Sequence, residues 1–293
     1  MTDLTWGIAG GLGSSMTWAA TSILVRSLSG ILSPAGISAL RSTVGGSILV
    51  AIALATGHAG EVARMPLWVV LALWGSIILA MGFGDTMFFA SMDHLGVTRA
   101  LILSMANPLL TTLVGIGLLG EPMTLPRAAG ILLVMGGLVL IIAGKGEGGS
   151  ERRGTRQGMQ LVFWGAGAWA LSAVILKPAI EAVSVVAATA VRLPMGGLFL
   201  WMTPWTRGTL RAIATSTPAE RRRLAAVCFL SAFSSLLFVS GIKFSGVAVG
   251  NVLASASPLF TLPFEVWVLG RRPSRQTAMG AVVTVAGVGL MNL

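Results

Sequence analysis

Cysteine occurs once in this 293-residue chain, at Cys228, histidine only at His58 and His94, and tyrosine nowhere. A single thiol excludes an internal disulfide framework and any multi-cysteine metal site. Two isolated histidines argue against a histidine-based metal centre, so no metal or cofactor is expected. Charge is scarce as well. Asp, Glu, Lys and Arg make up 10% of the chain, against about 25% in ordinary soluble domains. Catalytic signatures are missing: there is no HExxH, no Gly-x-Ser-x-Gly elbow and no Walker-type phosphate loop. These gaps point away from an enzyme and from an ATP-driven pump.

What fills the chain is apolar. Hydrophobic residues account for 55% of it and the mean hydropathy is +0.86. A single aqueous core of this length has too few interior positions for so much apolar surface. The long uncharged runs instead have the length of bilayer-spanning helices. They fall at 5–25, 34–56, 66–90, 97–119, 125–143, 158–176, 183–205, 224–242, 247–269 and 276–293. The expected fold is therefore an all-α membrane protein with ten transmembrane helices. No Lys or Arg precedes Trp6, so the first run reads as a retained helix and not as a cleaved signal peptide. The net charge of +10 sits in the short loops, which a membrane explains better than nucleic acid does.

The breaks between runs carry Pro, Gly and charge. The longest, 144–157, divides the chain into a first unit, 1–143, and a second, 158–293. These units are related. Thirteen of 45 positions match between 96–140 and 246–290 at an offset of 150, including Pro108/Pro258 and Gly120/Gly270. At an offset of 151, Trp18 meets Trp169, Arg41 meets Arg192, and Gly45-Gly46 meets Gly196-Gly197. An odd number of spans makes the second copy enter from the opposite side. The expected architecture is thus two inverted five-helix repeats, as in many secondary transporters.

Fourteen basic loop residues lie on one face, among them Arg26, Arg207, Arg211, Arg221, Arg222 and Arg223. Four lie on the face of the termini: Arg64, Arg127, Lys177 and Lys243. Basic short loops stay in the cytoplasm, which puts both termini outside a cell inner (plasma) membrane.

With the repeat established, the chain resembles the EamA-like family of the drug/metabolite transporter superfamily over essentially its whole length. The resemblance rests on the Trp18 region, on PAGISALR ending at Arg41, and on NPLL leading through LGEPMTLPRAAGILLVMGGLVLI. It is repeated in SPLF and VLGRRPSRQTAMGAVVTVAGVGLM. Arg271-Arg272 stand where the first copy has Glu121-Pro122, so the usual loop acid is absent there. The resemblance implies termini in the cytoplasm, opposite to the charge count.

Ionisable side chains inside a bilayer each need a reason, and four fall well within the spans: Arg41, Asp85, Arg192 and Glu265. Arg41 and Asp85 share a membrane level. Either they form an ion pair that ties two helices together, or Asp85 also carries a coupled proton. Arg192 is the counterpart of Arg41, but Ser235 stands where Asp85 would be. Arg192 is then satisfied by backbone carbonyls or by Glu181, or it attracts a substrate carboxylate or phosphate. Glu265 reads as a partner of Arg271 and Arg272 near the interface.

Pro108 and Pro258 are candidate hinges. A proline within a helix frees a carbonyl one turn earlier, here at Ser104 and Ala254, and the preceding Asn107 and Ser257 are candidate cavity residues beside Ser104. Trp18 and Trp169 are expected mid-membrane, as packing or as walls of a substrate cavity. The functional expectation is a carrier that exports amino acids or related small metabolites by alternating access. A multidrug or lipid-linked substrate exporter and a non-transporting membrane scaffold are the alternatives. Its expected partners are the lipid bilayer, a small-molecule substrate and protons, with no nucleic acid, in a monomer or homodimer.

Overall fold

A computed structural model describes residues 3–28, 30–95, 103–104, 106–143, 155–257, 259–260 and 274–290. All regular structure among them is helical. Pro258, Glu265, Arg271, Arg272, most of the linker and the start of the expected fourth helix lie outside the described residues.

The helices are α1 (Asp3–Arg26), α2 (Pro34–Ala55), the short α3 (Ala59–Ala63), α4 (Leu67–Ile77) and α5 (Thr86–Leu95). After them come α6 (Ala106–Leu119), α7 (Leu125–Ala143), α8 (Thr155–Ala182), α9 (Val185–Trp201), the short α10 (Thr209–Thr215), α11 (Pro218–Ala254) and α12 (Arg275–Leu290). Between α4 and α5 the backbone widens into a π-helical segment, Ile78–Asp85. The expected third span is thus one continuous rod from Leu67 to Leu95 with a wide turn in its middle. Among the described residues, Pro34–Ala55, Leu67–Phe88, Arg156–Ala182 and Pro218–Ala254 are each long and apolar enough to cross a bilayer. Outward side chains on these and the other apolar helices match that solvent: Trp68, Leu113, Leu132, Trp164 and Val282 are all exposed. This is a multi-pass membrane protein.

Helix starts follow local chemistry. Ser33 opens α2 by accepting a hydrogen bond from the Gly36 N–H, and Ser184 opens α9 by accepting one from Ala187. These two caps are 151 residues apart. Each satisfies one of the N–H groups that a helix start leaves without a partner. The Glu61 carboxylate also accepts from Ser184, from its N–H at 2.6 Å and from its hydroxyl at 2.6 Å. Burial raises the Glu61 pKa, but the Ser184 hydrogen bonds, with His58 and Lys243 nearby, outweigh it and leave the carboxyl below its ordinary value.

The halves meet reciprocally. A Cβ on Gly46 would lie 2.8 Å from Pro194, and one on Gly197 would lie 2.9 Å from the Thr43 backbone. Thr43 and Gly46 are the 151-offset counterparts of Pro194 and Gly197. Gly137 faces Thr284 and Gly287 faces Val134 in the same way, at an offset of 150. Gly7 faces Phe244 and Ser245, and Gly158 faces His94 and Leu95. In each case residue i touches j while the copy of i touches the copy of j. An isologous contact about a two-fold axis has this signature. Small residues at these crossings let the backbones approach, and in lipid such packing replaces the hydrophobic effect as a source of association.

The chain breaks direction at Gly246, whose φ of 85° and ψ of 168° leave the helical region inside α11. The break falls between the eighth and ninth spans expected from the sequence. Glu121 caps the new helical stretch, accepting from the Val247 N–H on one carboxylate oxygen and from the Ala248 N–H, at 3.0 Å, on the other.

Candidate functional site

The rod from Leu67 to Leu95 is the spine of the site. The PAGISALR sequence places Arg41 two turns into α2, and the π segment ends on Asp85. Both side chains are buried, and Arg41 Nη2 donates directly to Asp85 Oδ2 in an ion pair. The other carboxylate oxygen, Oδ1, accepts from Trp169 Nε1 at 3.0 Å. Asp85 is therefore held by one donor from its own half and one from the other half. Desolvating two charges is costly, and such a pair survives only when its remaining hydrogen-bonding capacity is used.

The wide π turn has a local consequence. A π segment disturbs the regular carbonyl ladder and recurs at functional sites in helices. Here the Ala80 carbonyl accepts a second hydrogen bond from Trp169 Nε1, at 3.1 Å. Gly84 makes room for the indole, since a Cβ there would lie 2.4 Å from Trp169 Cδ1. Phe88 packs on the same ring with centroids 5.1 Å apart. On the opposite side, the Arg41 guanidinium lies over the Trp18 ring, 5.1 Å from its centroid. The two symmetry-related tryptophans thus do different work. Trp18 supports the cation, and Trp169 donates to the anion.

Arg192, buried on α9, reaches the same spine further along. Its Nε donates to Ser76 Oγ at 2.8 Å, and its Nη2 lies 3.5 Å from Ser172 Oγ. Ser172 in turn donates to the Ser76 carbonyl at 2.6 Å. Trp169 and Ser172 sit three apart on α8, on one helix face, and both reach the spine. Among the described residues no carboxylate forms an ion pair with Arg192. The sequence offered Glu181 as a partner, but Glu181 pairs with Lys177 at 3.1 Å. Serine hydroxyls hold Arg192 instead, and its guanidinium lies over the Phe238 ring, 6.0 Å from the centroid.

Asn107 belongs to a different network. Asn251 Nδ2 donates to Thr111 Oγ1 at 2.7 Å and to Asn107 Oδ1 at 3.3 Å, and Thr111 Oγ1 also contacts Asn107 Oδ1 at 3.1 Å. This uncharged cluster joins α6 to the last part of α11. Pro108 is buried beside it, with its carbonyl accepting from Thr112 at 2.8 Å. Ser104 is buried and Ser257 is half-buried.

Of the residues singled out from the sequence, the structure gathers Arg41, Asp85, Trp18 and Trp169 into one cluster. It sets Arg192 on the same spine and leaves Asn107 in its own group. Sequence reading passed over Ser76, Ser172, Thr111 and Asn251. Asn251 carried a usable signal, an amide inside an apolar run. The serines did not, because serine is common on packed faces of membrane helices. Among the described residues, Thr21 Oγ1, Arg41 Nε and Ser235 Oγ are buried with no hydrogen-bond partner. Buried polar groups are normally paired, so these three mark unspent hydrogen-bonding capacity on α1, α2 and α11. Ser235 is the counterpart of Asp85.

Comparison with known proteins follows the same lines. The model of the EamA-like transporter family matches residues 5–143 and, a second time, residues 156–293. No curated protein matches the chain. A solved structure described only as a crystal structure of a protein is similar in fold, with a TM-score of 0.78 at 20% identity. The match covers 97% of this chain and 94% of that one.

Proposed function

This chain belongs to the EamA-like transporter family, and from that premise we propose that it is a secondary-active carrier exporting amino acids or related small metabolites by alternating access. In this reading ten spans form two inverted five-helix repeats, 1–143 and 158–293, and the halves rock about the reciprocal glycine contacts. The reading rests chiefly on one observation: Asp85 binds Arg41 of the first half and Trp169 of the second with its two oxygens. Rocking of the halves would strain that double attachment. Protonation of Asp85 weakens both hydrogen bonds, because a neutral carboxyl is a poorer acceptor than a carboxylate. A proton taken up on one side and released on the other would thereby be coupled to the conformational change.

Arg192 supports the choice of solute. Among the described residues its charge is buried against the Ser76 and Ser172 hydroxyls and the Phe238 ring, 6.0 Å away, with no ion pair, and hydroxyls yield to a stronger acceptor. A guanidinium binds carboxylate in a bidentate fashion, so the carboxylate of an amino acid fits this position. In this reading the tryptophans wall the solute position, and the Asn107–Thr111–Asn251 cluster stands apart from it. A multidrug or lipid-linked substrate exporter is the second reading. It fits the largely apolar helix faces and predicts indifference to Arg192.

The test is efflux from proteoliposomes loaded with a mixed metabolite pool and read by mass spectrometry. Wild-type protein is expected to deplete one class of carboxylate-bearing solute. Arg192→Ala is expected to slow that depletion by at least about tenfold, the effect of losing one charged hydrogen-bonded contact. Depletion of carboxylate-free amphiphiles, unaffected by Arg192→Ala, would favour the multidrug reading.

A further inference from the structure

We propose that the groove at the junction of α9 and α10 binds the phosphate headgroup of an anionic phospholipid, with Arg207 and Arg211 as its ligands. At Trp201 the chain leaves α9 and turns through Pro204–Thr206, and the following segment to Thr215 runs at 81° to α9. If α9 crosses the bilayer, α10 therefore lies along its surface. Thr209 is buried, and Ala212 and Ile213 pack against the Leu28, Leu32, Ile37 and Leu224 cluster. The other face is open. Met202, Trp205 and Leu210 are 79%, 44% and 68% exposed. Apolar side chains exposed beside arginines make the pattern of a helix lying in the interface, and tryptophan favours the same depth.

The groove itself measures about 620 Å³ and is lined by Trp201, Met202, Thr203, Arg207, Leu210 and Arg211, with Pro204, Thr206 and Gly208. The guanidinium groups of Arg207 and Arg211 have no hydrogen bond or ion pair among the described residues. Arg221, by contrast, is committed: it donates to the Ala214 carbonyl at 2.9 Å at the end of α10. Between 207 and 223 there are five arginines and one acid, Glu220. Charge of this density beside a bilayer attracts anionic lipid. A phospholipid matches both halves of the surface, its phosphate on the two free guanidinium groups and its acyl chains over Met202, Trp205 and Leu210. A free phosphate would match only the first half. The site is independent of the transport reading, because binding is measured without flux.

The experiment is native mass spectrometry of the detergent-solubilised full chain, titrated with phosphatidylglycerol or phosphatidylcholine. Each basic residue at an anionic surface strengthens attachment about fivefold, so the double variant Arg207→Gln/Arg211→Gln is expected to bind phosphatidylglycerol about 25-fold more weakly. The double variant Arg222→Gln/Arg223→Gln removes the same charge outside the groove and is expected to lose clearly less affinity than the groove variant. Phosphatidylcholine is expected to bind weakly to all three proteins, and inorganic phosphate to leave phosphatidylglycerol bound. Equal losses in the two double variants would overturn the proposal in favour of a diffuse field. Displacement by inorganic phosphate would overturn it in favour of a free-anion site. The single variants Arg207→Gln and Arg211→Gln, each expected to lose about fivefold, carry the test if the double variant does not fold.

Discussion

At the scale of the residue, the most informative atom is Trp169 Nε1. It donates to both Asp85 and the Ala80 carbonyl, so the indole reads the carboxylate and the wide helical turn together. Trp169→Phe keeps an aromatic ring against Phe88 and Gly84 but removes the donor. A hydrogen bond to a charged group contributes about 1.5–3 kcal/mol, so the variant is expected to unfold at lower temperature than wild type in detergent. If Asp85 titrates during transport, the variant should also show a shifted pH dependence of flux, which a packing role alone would not produce. Trp18→Phe keeps a ring beneath Arg41 and takes no donor from Asp85, so it serves as the comparison. Parts of this cluster were legible beforehand. Arg41 and Asp85 stood out because ionisable residues are rare in apolar runs, and their common membrane level already allowed them to pair. The role of Trp169 was not legible. The repeat makes Trp18 and Trp169 equivalent in sequence, and only packing separates a ring beneath a cation from an indole donating to an anion. Arg192 was visible as a buried charge, but its partners Ser76 and Ser172 looked like ordinary small residues of packed helices.

At the scale of the element, glycines set the close crossings of the helices. The expected hinges were Pro108 and Pro258. Pro108 is buried beside the Asn107–Thr111–Asn251 cluster, and a change of backbone direction inside α11 falls at Gly246 and is capped by Glu121 from the first half. Helix starts were readable in part from turn residues, and Ser33 and Ser184 behave as helix caps should. The π segment from Ile78 to Asp85 was not readable, since nothing in its composition distinguishes a π turn from an α turn. The reciprocal contacts give a direct prediction. Gly46→Val and Gly197→Val both push a side chain into the facing helix, at Pro194 and Thr43. Overpacking costs about 1–3 kcal/mol, so both are expected to lower the unfolding temperature, and by similar amounts. Gly117→Val is the control, because no atom outside its own helix lies within 4 Å of the position a Cβ would take. Unequal losses in the first two variants, measured by thermal unfolding in detergent, would argue against the two-fold relation of the contacts.

At the scale of the whole molecule, the two-repeat family and the membrane setting were the most legible features. Both depend on patterns averaged over many residues, and small errors in single boundaries cancel. The site is less symmetric than the fold. Arg41 and Arg192 are equivalent by the repeat, yet one faces Asp85 and the other faces serines, with Ser235 standing where a second acid would be. A perfectly symmetric pair of ion pairs would hold both halves alike. One ion pair and one cation satisfied by hydroxyls instead separate a position suited to a proton from a position suited to an anionic group. That division of labour is the central claim of the proposed mechanism, and Asp85→Asn addresses it most directly. The substitution keeps the shape of the side chain and an acceptor oxygen for Trp169 while removing the titrating proton. Efflux of the identified solute from proteoliposomes should be measured with and without a pH gradient, beside the wild type. The mechanism predicts that the mutant loses the gradient-driven component and retains slow flux down the solute gradient. Gradient-driven efflux at the wild-type rate would contradict it.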